Sequence, residues 1–185
     1  MVTYLELVQV FGERDVYRSP ESMLDGGIVH AGTRAVMSVV GIPCNLGNVL
    51  VVSEAAVTRE LVRMADHYSH EIPELPIDAD DLYWLASVAG GDACLNGKTG
   101  EVFFVKGDYV PPFSRINSSL EDFVECMLVI EREAMSVEVP DDPDQVDDAL
   151  RELIGRVGLL RNGQLTDSSI FWGQVIKFYL EELAG

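Results

Sequence analysis

The stretch from Gly90 to Val105, GGDACLNGKTGEVFFV, decides how the rest of the chain is read. Its middle, Gly97-Lys98-Thr99, has the ending of a phosphate-binding loop. Such a loop needs a glycine five positions before Gly97, and Asp92 stands there, where a carboxylate would face phosphate oxygens. It also needs a helix directly after the Lys-Thr pair, so that the helix N-terminus receives the phosphates. The next residues are instead Gly100-Glu101-Val102-Phe103-Phe104-Val105, an apolar run that reads as a strand. Asn96-Gly97 and Thr99-Gly100 are turn residues, and Ala93 to Leu95 supply the other arm. The stretch is a β-hairpin, and the fold is built on an antiparallel sheet.

Toward the N-terminus, Leu82 onward reads as strand and Asn48 to Val52 as another. Ser53 caps a predicted helix with Val57, Leu61, Met64 and Tyr68 on its inner face and Glu54, Arg59, Glu60 and Asp66 outside. A further helix starts at Thr33 and stops at Gly41, with Pro43 beyond. The spacing Thr3-x-x-Glu6 is that of a capping box, predicting a helix to Phe11 ended by Gly12, although Val8, Val10 and Phe11 would suit a strand. A short strand then covers Asp15 to Arg18.

Toward the C-terminus, Asn117 or Ser118 caps a helix whose Leu120, Phe123, Met127 and Ile130 form one stripe. A second helix turns Val146, Leu150, Leu153 and Val157 inward. A last one starts at Ser168 or Ser169 and packs through Phe171, Val175, Phe178 and Leu183. Residues 71–81 and 138–148 are rich in proline and acid, and read as a surface loop and a linker. The expected fold class is therefore α+β: one domain over residues 1–185, an antiparallel sheet flanked by helices, with C-terminal helices 144–184 packed on the core.

Composition narrows the function. The 185 residues are 48% hydrophobic and 24% charged, as in soluble globular domains. No window approaches the run of about 18 apolar residues needed to cross a bilayer, and the start MVTYLELVQVFGERD lacks a basic segment before an apolar core, which points to the cytoplasm. Thirty-one acidic against 13 basic residues give a formal charge of −18, so nucleic acid and anionic membrane are repelled while a basic protein is attracted. Cys44, Cys94 and Cys126 are far apart with no CxxC pair and read as buried thiols.

No catalytic constellation stands out. His67 and His70 share a helix at a spacing of three, but a metal needs further ligands, and His30 is the only other histidine. No serine or cysteine sits in a GxSxG elbow. Asp78, Asp80 and Asp81, with Asp141, Asp142, Asp144, Asp147 and Asp148, are an acidic patch for a basic partner, calcium ligands, or a solvated surface. The first of these two segments lacks the glycine and distant glutamate of a helix-loop-helix calcium site. No metal and no cofactor is called for.

Four features in order carry a resemblance: Val40-Gly41-Ile42-Pro43; the hairpin Leu95-Asn96-Gly97-Lys98-Thr99-Gly100-Glu101-Val102; the cap and helix Ile116-Asn117-Ser118-Ser119-Leu120-Glu121-Asp122-Phe123; and Phe171-Trp172. The series resembles the SUKH superfamily, in particular its bacterial immunity proteins of polymorphic toxin systems, and covers residues 30–130 best. The resemblance implies a non-enzymatic protein that binds and neutralises a cognate toxin, often one acting on nucleic acid. It transfers no partner site to numbered residues, since the shared positions are core, turn and cap. Leu120, Phe123 and Trp172 are expected to hold the fold together. The other readings are a regulatory protein-binding scaffold of the same fold and a small metal-assisted hydrolase.

Overall fold

The structure, a computed structural model, describes residues 1–24, 26–53, 61–67, 77–88, 90–105, 113–136, 151–157 and 169–184. Helix α1 spans Tyr4–Phe11. Its capping box is fully formed: the Thr3 hydroxyl accepts from the Glu6 amide at 3.3 Å, and the Glu6 carboxylate accepts from the Thr3 amide at 2.9 Å. These bonds satisfy amides the helix itself leaves unpaired. Thr3→Ala is expected to lower unfolding stability by about 1 kcal/mol, seen as a smaller urea midpoint at unchanged slope.

Strand β1 (Val16–Tyr17) pairs with β2 (Ile42–Pro43) in a two-stranded ribbon. Between them lies α2 (Ala31–Ala35), which continues through a π-helical turn over Val36–Val40 and stops at Gly41. Its cap is His30, whose ring accepts from the Thr33 amide, and not Thr33 as the sequence suggested. Thr33 is one turn further in and buried.

The main sheet has six strands in sequential antiparallel order: β3 (Asn45–Leu46), β4 (Leu50–Val52), β5 (Leu82–Val88), β6 (Gly91–Asn96), β7 (Val102–Val105) and β8 (Phe113–Asn117). The expected strand from Asn48 starts later, at Leu50, and β3 folds back on it from the N-terminal side. In the central hairpin Cys94 faces Phe103 and Leu95 faces Val102. Because side chains alternate across a strand, the arms feed two cores. Tyr83, Leu85, Ala93, Leu95, Val102 and Ile116 join the large core under the helices. Leu82, Cys94, Phe103 and Val105 face the other way, onto Met64.

Met64 belongs to α3 (Met64–His67), while residues 54–60, where the helix expected after Ser53 would begin, lie outside the described residues. Val62 and Arg63 are instead tied to the sheet, the Val62 carbonyl accepting from the Trp84 amide at 2.9 Å and Arg63 bridging Tyr83. This edge contact overrides the helical spacing of Leu61 and Met64. Val57 and Tyr68 lie outside the described residues.

Helix α4 spans Leu120–Ala134 and is capped by Ser119, one residue beyond the predicted candidates, because Asn117 is the last residue of β8. Residues 151–157 are helical (α5), with Leu153 and Val157 fully buried. The last helix, α6, spans Ser169–Ala184. Its inner face is Phe171, Trp172, Val175, Ile176, Tyr179 and Leu180, a stripe two residues wide, which rotates Phe178 (42% exposed) and Leu183 (48%) outward, against expectation. Leu120, Phe123 and Trp172 are all buried in the large core. The architecture is α+β, with an antiparallel sheet flanked by helices.

Candidate partner-binding surface

Asp78, Asp80 and Asp81 gather at one short 3₁₀ turn, Ala79–Asp81, where the sequence suggested an irregular loop. The Asp78 side chain caps this turn by accepting from the Asp80 amide at 3.1 Å. Asp81 pairs with Lys98 at 2.8 Å, and this carboxylate raises the lysine pKa above its usual value. The Asp81 carbonyl also accepts from the Gly97 amide at 2.9 Å. Asp78 and Asp81 are therefore engaged in holding the turn and the adjoining hairpin, and Asp78 and Asp80 are both exposed. Asp66 is exposed on α3, which packs on this turn; the sequence marked it only as a helix surface residue. Asp141, Asp142, Asp144, Asp147 and Asp148 lie outside the described residues.

A second feature was not foreseen. Phe171, Gln174, Val175 and Phe178 of α6 line an open apolar groove with Val88 of β5 and Phe104 of β7. Its floor is firm: the Phe104 and Phe171 rings sit 5.2 Å apart, and Phe171 meets Trp172 edge-on at 5.0 Å. Helix α6 is held over the sheet by polar bonds at both ends. Trp172 Nε1 donates to Asn117 Oδ1 at 3.2 Å, and the Tyr179 hydroxyl donates to Glu131 at 2.7 Å. Burial, then the Glu131 bond, push the Tyr179 pKa up. Glu182 accepts from the Asn48 backbone amide at 2.8 Å and from its side-chain amide. The sequence signal was present in Phe178, but a seven-residue spacing from Phe171 assigned it to the core.

The hairpin turn is occupied by its own bonds. Asn96 Oδ1 accepts from the Lys98 and Thr99 amides at 2.9 and 3.0 Å, and the Gly97 carbonyl accepts from the amides of Val29 and His30. The Lys98 and Thr99 amides are thus unable to cradle a phosphate. Burial raises the Cys44 pKa to about 11, helped by the Asp15 carboxylate that accepts from its thiol, and burial raises that of Cys94 further still. Both sulfurs are kept protonated, the opposite of what a nucleophilic thiol requires. Cys44 is only partly buried, which corrects the expectation for that thiol. Among the described residues no three His, Cys, Asp or Glu side chains gather as a metal site. His70, and the side chain of His67, lie outside them. No helix among the described residues is long and apolar enough to cross a membrane.

No curated protein and no solved structure matches the chain. The family model of the SUKH-4 immunity protein does match, over residues 2–177, well beyond the 30–130 span that carried the resemblance best. An antiparallel meander with helices packed on its large core agrees with that match. The matched span takes in α1, every strand of the sheet and the first half of α6, so the chain belongs to the SUKH-4 immunity protein family.

Proposed function

We propose that this protein is a cytoplasmic, single-domain immunity protein that binds one cognate toxin and neutralises it by occlusion, without catalysis of its own. The observation that carries this reading is the family match over residues 2–177. Charge supports its electrostatic part. The formal −18 is what remains after all 13 basic residues are counted against 31 acidic ones, and Lys98, Arg115 and Arg156 are each already within 4 Å of a carboxylate. An acidic protein of this kind fits a basic toxin, and a toxin that handles nucleic acid needs a basic cleft.

The test is growth of cells expressing the toxin domain encoded beside this gene, with and without this protein. Rescue supports immunity, and failure of rescue with both chains well expressed sinks the pairing. For the purified pair, the association rate should fall at least about tenfold between ~50 and ~500 mM salt, while the dissociation rate changes little. A salt-independent association rate would refute the electrostatic part.

A further inference from the structure

We infer that the toxin seats on the groove between α6 and the sheet, inserting an arginine- or lysine-bearing segment whose aliphatic stem lies against Phe178 and whose charged end meets Glu181. This rests on the immunity reading and specifies its contact surface.

Three observations converge on that face. Phe178 is a large aromatic left 42% exposed on a helix whose neighbouring positions Val175 and Tyr179 are 2% and 5% exposed. Exposed aromatics bordering a firm apolar groove are what binding centres are made of, since they bring large contact area with few rotatable bonds. Phe178, Val175, Phe171, Val88 and Phe104 line the groove with one polar side chain, Gln174, so an aliphatic stem meets mostly apolar walls.

The third observation is electrostatic. The carbonyl end of a helix is its negative pole, where cations stabilise and carboxylates do the reverse. The last turn of α6 carries Glu181 and Glu182 and no basic residue. Glu182 is held by neutral amides of Asn48, which leave its charge in place. Glu181 pairs with Lys177, 3.8 Å away one turn back, with both side chains about half exposed. Lysine preceding glutamate is also the weaker order for such a pair. Glu182 serves the fold through Asn48, but Glu181 adds exposed negative charge at a negative pole with only Lys177 to offset it. A cation from outside is the group that relieves it, and an arginine there both pairs with Glu181 and stacks on the Phe178 face.

The experiment measures binding kinetics of the full chain against the toxin domain encoded beside the gene, purified in a catalytically dead form. Phe178→Ala, Glu181→Lys and, as a control, Leu5→Ala on α1, which is 71% exposed, are first checked for unchanged melting. Phe178→Ala should raise the off-rate at least about tenfold. Glu181→Lys should lower the on-rate about tenfold at low salt. Leu5→Ala should stay within about twofold of wild type. Rescue by wild type with Phe178→Ala and Glu181→Lys binding as wild type does would overturn this surface and leave immunity standing. Absence of both binding and rescue by wild type would remove the immunity reading and this proposal with it. A concentration-dependent dimer lost in Phe178→Ala would also overturn it, by giving the groove to a second copy of the chain.

Discussion

Trp172→Ala is expected to remove about 5 kcal/mol of unfolding stability, enough to leave the protein largely unfolded at about 37 °C. The indole is fully buried and packs against Phe123 at 5.4 Å and Phe171 at 5.0 Å between ring centres. Loss of that volume alone costs about 3–5 kcal/mol, because close-packed neighbours collapse only partly into the space. The indole N–H also satisfies Asn117 Oδ1, and Asn117 is itself buried, with its amide directed at the Cys126 sulfur 3.6 Å away. Leaving that oxygen without a donor adds about 1–3 kcal/mol. Trp172→Phe separates the two effects: most of the ring volume stays, the hydrogen bond goes, and a loss of about 2 kcal/mol is expected. Chemical denaturation followed by circular dichroism reads both. If Trp172→Ala unfolds at the wild-type midpoint, α6 is not part of the cooperative unit, and its place in one large core is wrong.

How much of this was legible in the sequence depends on what decides each element locally. The capping box of α1 and the hairpin turn are written in adjacent residues, so Thr3-x-x-Glu6 and Asn96 to Gly100 were read correctly. Elements settled by tertiary contact were not. Leu61 to Arg63 are non-helical, with Val62 and Arg63 tied to the sheet and Arg63 bridging Tyr83, and the helical spacing of Leu61 and Met64 does not announce that bridge. The facing of α6 was legible only in part: Phe171 and Val175 are buried as their spacing predicts, but Trp172, Ile176, Tyr179 and Leu180 widen the buried stripe to one side and leave Phe178 and Leu183 outside it. That side holds Trp172 and Tyr179 with their polar tethers to Asn117 and Glu131. Phe178 was displaced outward, and with it the candidate contact surface passed unnoticed. The acidic residues show the converse. Charge clustering found Asp78 and Asp81, but could not show that one caps a turn and the other binds Lys98, because clustering carries no geometry.

Gly100→Ala should be the second severe lesion, costing about 3 kcal/mol or more, while Gly173→Ala stabilises by about 0.5–1 kcal/mol. Gly100 has φ +79, a left-handed conformation that costs a residue with a side chain about 1–2 kcal/mol. An added Cβ would moreover sit 2.3 Å from His30 Nδ1 and 2.8 Å from Thr33 Oγ1. His30 cannot yield freely, since its ring caps α2 and its backbone amide donates to the Gly97 carbonyl. The strain therefore passes from the hairpin turn into the start of α2, and both should loosen together. Gly173, inside α6, has nothing within 4 Å of the corresponding position, so alanine there only reduces the freedom of the unfolded chain and improves the helix. Two identical substitutions with opposite signs exclude a general effect of added bulk. The double variant His30→Ala with Gly100→Ala removes the colliding ring but not the left-handed backbone. It should be less destabilised than the two single losses added together, by an amount that measures the collision itself. Strict additivity would mean that the turn and the α2 cap are not in contact, and that the glycine answers to its backbone alone.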